Sequence, residues 1–117
     1  MIYVADQGFF LGENGWFDKR WMYEESFRMP FVIKWPGHIE PGQQLDQIIQ
    51  NVDFAPMLLD ACGLDVPESM HGESFLPLMQ GQTIEWRDTA YYHYFQSWGW
   101  HNVPRHHGVR KIGRAHV

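Results

Sequence analysis

Hydrophobic and polar positions divide the chain into short segments. Ile2-Tyr3-Val4-Ala5 is a brief apolar run ending on Asp6, the pattern of a buried, parallel-type strand that delivers a carboxylate at its C-terminal edge. That edge is where open α/β sheets place ligands. The stretch from Gly8 to Trp16 contains Gly8, Gly12 and Gly15 and reads as a loop. From Phe17 to Met29 the composition favours a one-sided helix carrying Trp21, Met22 and Phe27, stopped by Pro30. Phe31 to Trp35 is β-rich and closed by Pro36-Gly37. Strand, loop, helix and strand therefore follow one another in a βαβ pattern.

The second half is punctuated differently. A turn at Pro41-Gly42 and an extended piece from Leu45 to Gln50 lead to Asn51-Val52-Asp53, a capping segment. Behind it Phe54, Met57, Leu58, Ala61 and Cys62 fall at helical spacing, Gly63 ends the run, and Pro56 sits in the first turn, where it is tolerated. Asp65 to Gly81 reads as a linker with one helical turn from Ser74 to Met79. Thr89 to Phe95 is a strongly aromatic strand, and Gly108 to Lys111 begins its partner. No internal repeat breaks this order, and the composition shifts near Thr83. The expected class is α/β, with a sheet and flanking helices over 1–82 and part of a small antiparallel subdomain over 83–111.

Composition narrows the function classes. With 117 residues the chain holds one small domain or a piece of one. Six Trp, five Tyr and eight Phe argue for a packed protein, since burying them offsets ordering entropy. A formal charge of −5 provides no basic surface, so nucleic acid is not the expected partner. No apolar run has the roughly 20 residues a membrane span needs, and no membrane is expected as partner. The lone Cys62 excludes an internal disulfide and reads as a small core residue. Because the chain opens on a central-type strand, Met1 is expected to be an internal position. Ile112-Gly113-Arg114-Ala115-His116-Val117 is the translation of ATC GGA AGA GCA CAC GTC, the start of a common sequencing adapter, so 112–117 is expected to be a tail without structural meaning.

The chemistry lies near the start. Asp6 and Gln7 can offer oxygens to Ca²⁺, which prefers carboxylate and carbonyl donors. Lys19, across the Gly-rich loop, can neutralise a bound oxyanion as a point charge. Together they suit cleavage of sulfate or phosphate esters, where charge builds on non-bridging oxygens. Spacing alone leaves a second reading open: a strand-end Asp followed by a solvated Lys is the commoner arrangement.

The run Asp6-Gln7-Gly8-Phe9-Phe10-Leu11-Gly12-Glu13-Asn14-Gly15-Trp16-Phe17-Asp18-Lys19-Arg20, followed by WMYEESFRMPFVIKWPG, resembles the sulfatase family of the alkaline-phosphatase-like superfamily. NVDFAPMLLDACGL, HGESFLPLMQG, YYHYF and HNVPRHHGVR resemble it too, so the likeness covers nearly all of 1–111. The resemblance implies a fragment of an alkaline-phosphatase-like sheet, with Asp6 and Gln7 as calcium ligands and Lys19 as the catalytic, sulfate-binding lysine. It implies a formylglycine nucleophile made upstream from a Cys/Ser-x-Pro-x-Arg motif, which is absent here. This chain alone is therefore expected to be inactive. Where the family's Gly-Glu-His-Gly loop has His, Asn14 stands, and an amide cannot act as acid or base.

The aromatic C-terminal region resembles glycosaminoglycan-type relatives, N-acetylglucosamine-6-sulfatases among them. The resemblance implies a sulfated carbohydrate or other sulfate ester as partner, and a periplasmic, secreted or lysosomal location. His101 and Arg105, in a loop with His106 and His107, are candidate sugar contacts; zinc is disfavoured because their spacing matches no tetrahedral pattern. Trp98 and Trp100 flank Gly99 and could stack on sugar rings. The open alternatives are a phosphodiesterase or phosphonate monoester hydrolase of the same superfamily, or a non-catalytic carbohydrate-binding fragment.

Overall fold

The computed structural model describes residues 1–96 and 101–112, and the backbone of 114–116. Two compact units are present, one formed by Met1–Ile33 with Thr89–Val117 and the other by Lys34–Asp88.

In the first unit, β1 (Ile2–Val4) pairs with β4 (Phe31–Ile33), with Ile2 opposite Ile33 and Val4 opposite Phe31. The pairing is antiparallel and Ile2, Tyr3 and Val4 are exposed, which corrects the buried, parallel-type strand and the βαβ reading. A parallel return needs a crossover of a dozen or more residues, usually a helix, and here the α-helix between the two strands is the four-residue α1 (Glu24–Phe27). The helix expected over 17–29 is this short because its first residues go elsewhere. Phe17–Asp18 forms β3 against β2 (Phe10–Leu11), and Asp18 takes φ 88°, outside the helical region.

An aromatic cluster anchors the hairpin. Phe10, fully buried, meets Trp16 and Tyr23 edge-on at centroid distances of 5.8 and 6.2 Å, and Trp16 lies 5.0 Å from Trp21. Trp21 stacks on His106 at 5.0 Å. His106 belongs to β6 (His106–Lys111), which pairs antiparallel with β5 (Thr89–Tyr94) and β7 (Arg114–His116). The expected aromatic strand and its partner thus form as read, with His93 opposite His107. Tyr92 packs edge-on against Phe27 at 5.1 Å, and burial pushes its phenol above the ordinary range.

Arg110 donates to both carboxylate oxygens of Glu24, at 2.8 and 3.3 Å, and this guanidinium holds the Glu24 carboxyl below its ordinary value of 4.5. A lowered folded pKa stabilises above the unfolded value and is lost as pH falls through the folded one. Glu24→Gln is expected to cost about 0.5 kcal/mol at pH 7, since the pair is half-exposed. Denaturant titrations at pH 7 and pH 3 should show that difference shrinking toward zero in acid.

The second unit packs α2 (Phe54–Ala61) against α3 (Leu76–Met79). Met57, Phe75, Leu76, Leu78, Met79 and Ile48 form its core, and Phe54 meets Phe75 edge-on at 5.6 Å. Asp53 is fully buried beneath them. It accepts hydrogen bonds from the backbone N–H of Gln50 (2.7 Å) and Glu73 (3.0 Å) and pairs with Arg87 at 2.6 Å. Gly72 is required beside it, because a Cβ there would collide with the Val52 carbonyl. Trp86 donates its indole N–H to the Ile48 carbonyl at 2.9 Å, and Arg87 lies over the Trp86 ring. Cys62, expected in the core, is exposed because α2 ends at Ala61 and leaves the next residue facing solvent.

Candidate active site

β1 ends short of Asp6, and the chain then runs alongside α1. The Ala5 N–H donates to the Pro30 carbonyl (3.4 Å) and the Gly8 N–H to the Ser26 carbonyl (3.1 Å). Gln7 donates its side-chain N–H to that same Ser26 carbonyl, at 2.5 Å. With its nitrogen committed to α1, Gln7 keeps its amide oxygen for another partner. Asp6 is exposed and Gln7 half-buried. A carboxylate and an amide carbonyl on adjacent residues fit the hard-oxygen preference of Ca²⁺. Among the described residues no group of three or more His, Cys, Asp or Glu gathers that could hold a metal ion, so these two could supply only part of a coordination shell.

Gly8 makes the close approach possible. A Cβ at this position would overlap the Glu25 carbonyl and the Ser26 backbone, neither of which can swing aside. Gly8→Ala is expected to cost about 1–3 kcal/mol, the range for forced overpacking, as a lower denaturant midpoint.

Lys19 follows directly on β3. The turn of the hairpin needs left-handed backbone at Gly12 (φ 120°), Asn14 (φ 56°) and Gly15 (φ 74°). Asn is among the few side chains that tolerate this region, a conformational reason for the residue found there. Glu13 accepts the Leu11 N–H at 2.6 Å, and that bond lowers its carboxyl pKa.

Asp18, at positive φ, sits between a guanidinium and an imidazole: Arg20 contacts both its oxygens, and His101 Nδ1 lies 3.7 Å from Oδ2. The Arg20 carbonyl in turn accepts the Tyr92 hydroxyl at 3.2 Å. The fold thus brings His101 to the residue preceding Lys19, where strain stored at a non-glycine left-handed position is a feature associated with functional sites. Spacing alone does not single out Asp18 and Arg20, although a carboxylate followed by two cations in Asp18-Lys19-Arg20, at the end of the glycine loop, is a signal that points to them. Arg105 is exposed on the segment leading into β6. His106 is packed by Trp21, Tyr92 and Tyr94 and is part of the scaffold. Trp98 and Trp100 lie outside the described residues.

Residues 12–113 match the model of a family described as N-sulphoglucosamine sulphohydrolase, C-terminal. The chain belongs to this sulfatase family. It is 50% identical to an N-acetylglucosamine-6-O-sulfatase of Bacteroides thetaiotaomicron over 94% of its own length and 20% of that protein's. It superposes with a TM-score of 0.90 and 47% identity on a structure solved in complex with its substrate D-glucosamine-2-N,6-O-disulfate, covering 95% of this chain and 23% of that one. A phosphonate monoester hydrolase from Silicibacter pomeroyi matches at a TM-score of 0.72 and 27% identity, over 79% of this chain and 18% of that one. The chain thus spans about a fifth of the length of these sulfatase relatives. The resemblance read from the sequence is borne out at the level of the family, and the mixture of helices with small antiparallel sheets is the one found in a sulfatase fold.

Proposed function

We propose that this chain is the C-terminal part of the catalytic domain of a sulfatase acting on sulfated glycans, with N-acetylglucosamine 6-sulfate as the favoured unit. In this reading 1–82 belong to the catalytic domain and 83–111 begin the C-terminal subdomain. The parent works in a periplasmic, secreted or lysosomal setting. The observation that carries the proposal is the contact of Asp18 with Arg20 and His101, at the residues that flank Lys19 along the chain, in a chain half identical to an N-acetylglucosamine-6-O-sulfatase.

Asp6 and Gln7 would hold Ca²⁺, and calcium with an upstream formylglycine would supply charge neutralisation and the nucleophile. This chain's own part is positioning. Lys19 places a fixed positive charge on a sulfate oxygen, and Asp18 and His101 offer an acceptor and a donor suited to sugar hydroxyls. Arg105, exposed further along, would contact the glycan beyond the reacting unit.

A phosphonate monoester hydrolase is the second reading, supported by the likeness to the Silicibacter enzyme and by the indifference of a cation-plus-lysine clamp to sulfur or phosphorus. Assaying the full-length parent on N-acetylglucosamine 6-sulfate and on an aryl phosphonate of matched leaving group separates them. Faster turnover of the sulfate ester is expected. A preference for the phosphonate would overturn the proposal.

A further inference from the structure

We propose that Ser26 is a positioning residue that sets the orientation of Gln7 and, through it, the calcium affinity of the site. The inference rests on the reading of Gln7 as a metal ligand and adds a residue outside the liganding set. Ser26 is 2% exposed, and its polar groups are fully engaged. Its carbonyl accepts two hydrogen bonds, from the Gln7 side-chain amide at 2.5 Å and from the Gly8 backbone at 3.1 Å. Its hydroxyl contacts the Trp21 carbonyl and lies 2.9 Å from the Tyr23 carbonyl. Both are main-chain groups in the segment that leads from Lys19 into α1.

A free glutamine amide rotates between two nearly equivalent orientations, one presenting oxygen and one presenting nitrogen. Only oxygen binds a hard cation. Anchoring the nitrogen on Ser26 removes that choice, so Gln7 meets the ion already turned. Gly8 allows the approach because its missing Cβ would otherwise strike this very stretch of backbone. The hydroxyl then fixes the carbonyl: it pins Ser26 to the turn at 21–23, so the acceptor for Gln7 does not wander. Residues that orient a ligand without touching the metal typically change metal affinity by roughly 10- to 100-fold when removed.

The test is a double-mutant cycle in the full-length parent, with calcium Kd read by isothermal titration calorimetry on metal-stripped protein and the metal-free melting temperature recorded alongside. Ser26→Ala removes the hydroxyl and is expected to weaken calcium binding by about tenfold, the lower end of that range. The same substitution in a Gln7→Ala background should change Kd by less than about twofold, because nothing remains to orient; a merely structural role would weaken binding equally in both backgrounds. Ser26→Thr retains the hydroxyl and should bind within about threefold of the parent, which also guards against Ser26→Ala failing to fold.

The outcomes separate the two ideas. If Gln7→Ala leaves Kd unchanged, the metal assignment itself falls. If Gln7→Ala weakens binding but Ser26→Ala does not, or if Ser26→Thr loses as much as Ser26→Ala, that assignment stands and the role of Ser26 is overturned.

Discussion

Lys19→Ala in the full-length parent is expected to lower kcat for a sulfated N-acetylglucosamine substrate by roughly 100- to 1000-fold, the loss seen when one preorganised group facing developing charge is removed. The sulfate carries charge in the ground state and more of it on the leaving side in the transition state, so kcat should fall further than KM rises. The geometry supports a fixed rather than a mobile cation. Lys19 is half-buried and follows Asp18, whose left-handed backbone and bonds to Arg20 limit where the next residue can point. Lys19→Arg should recover only part of the rate, since a planar fork does not place its charge as a compact ammonium does. Turnover unchanged by Lys19→Ala would mean that the lysine is a solvated surface group, the reading that spacing alone favours.

The second large effect is on stability and lies in the other unit. Asp53→Ala is expected to cost about 3–5 kcal/mol, the usual penalty for removing one partner of a buried ion pair. Three segments converge on this fully buried carboxylate: the N-terminal turn before α2 through Gln50, the loop at Glu73, and Arg87. Without it two backbone N–H groups lose their acceptor and a largely buried guanidinium keeps only the exposed Glu73 carboxylate, 4.0 Å away. Asp53→Asn keeps the shape but not the charge and should cost less than the alanine variant. Equilibrium denaturation of both variants measures the difference, and a midpoint unmoved by Asp53→Ala would contradict this account of the core.

The elements with local causes were legible in the sequence. The helix at 54–61 has its apolar spacing, its capping segment and its terminal Gly63 within a dozen or so positions, and it forms as the pattern predicts. The aromatic strand at 89–94 does likewise. Two expectations failed because their causes are not local. Ile2-Tyr3-Val4 has no alternation to say which way its neighbour runs, and the direction follows from where Phe31–Ile33 returns. Helix-forming composition over 17–29 is overridden by the hairpin, which claims Phe17 and Asp18, and by the packing of Trp21 on His106.

The site divides in the same manner. Asp6, Gln7 and Lys19 are candidates that the sequence offers from the loop they bracket. Asp18 and Arg20 could not be joined to His101 until the fold placed that side chain 3.7 Å from the Asp18 carboxylate. The orientation of Gln7 was likewise invisible, because it depends on a main-chain carbonyl, which every residue carries.

The proposed function makes the segment from Asp6 to Lys19 half of a calcium-dependent sulfatase site. Calcium titration of the full-length parent and its Asp6→Ala variant, both stripped of metal and both shown folded by circular dichroism, tests it most directly. Calcium binding weaker than in the parent by more than the roughly 10- to 100-fold typical of residues that merely orient a ligand is the predicted result. An Asp6→Ala protein that binds calcium as tightly as its parent would contradict it.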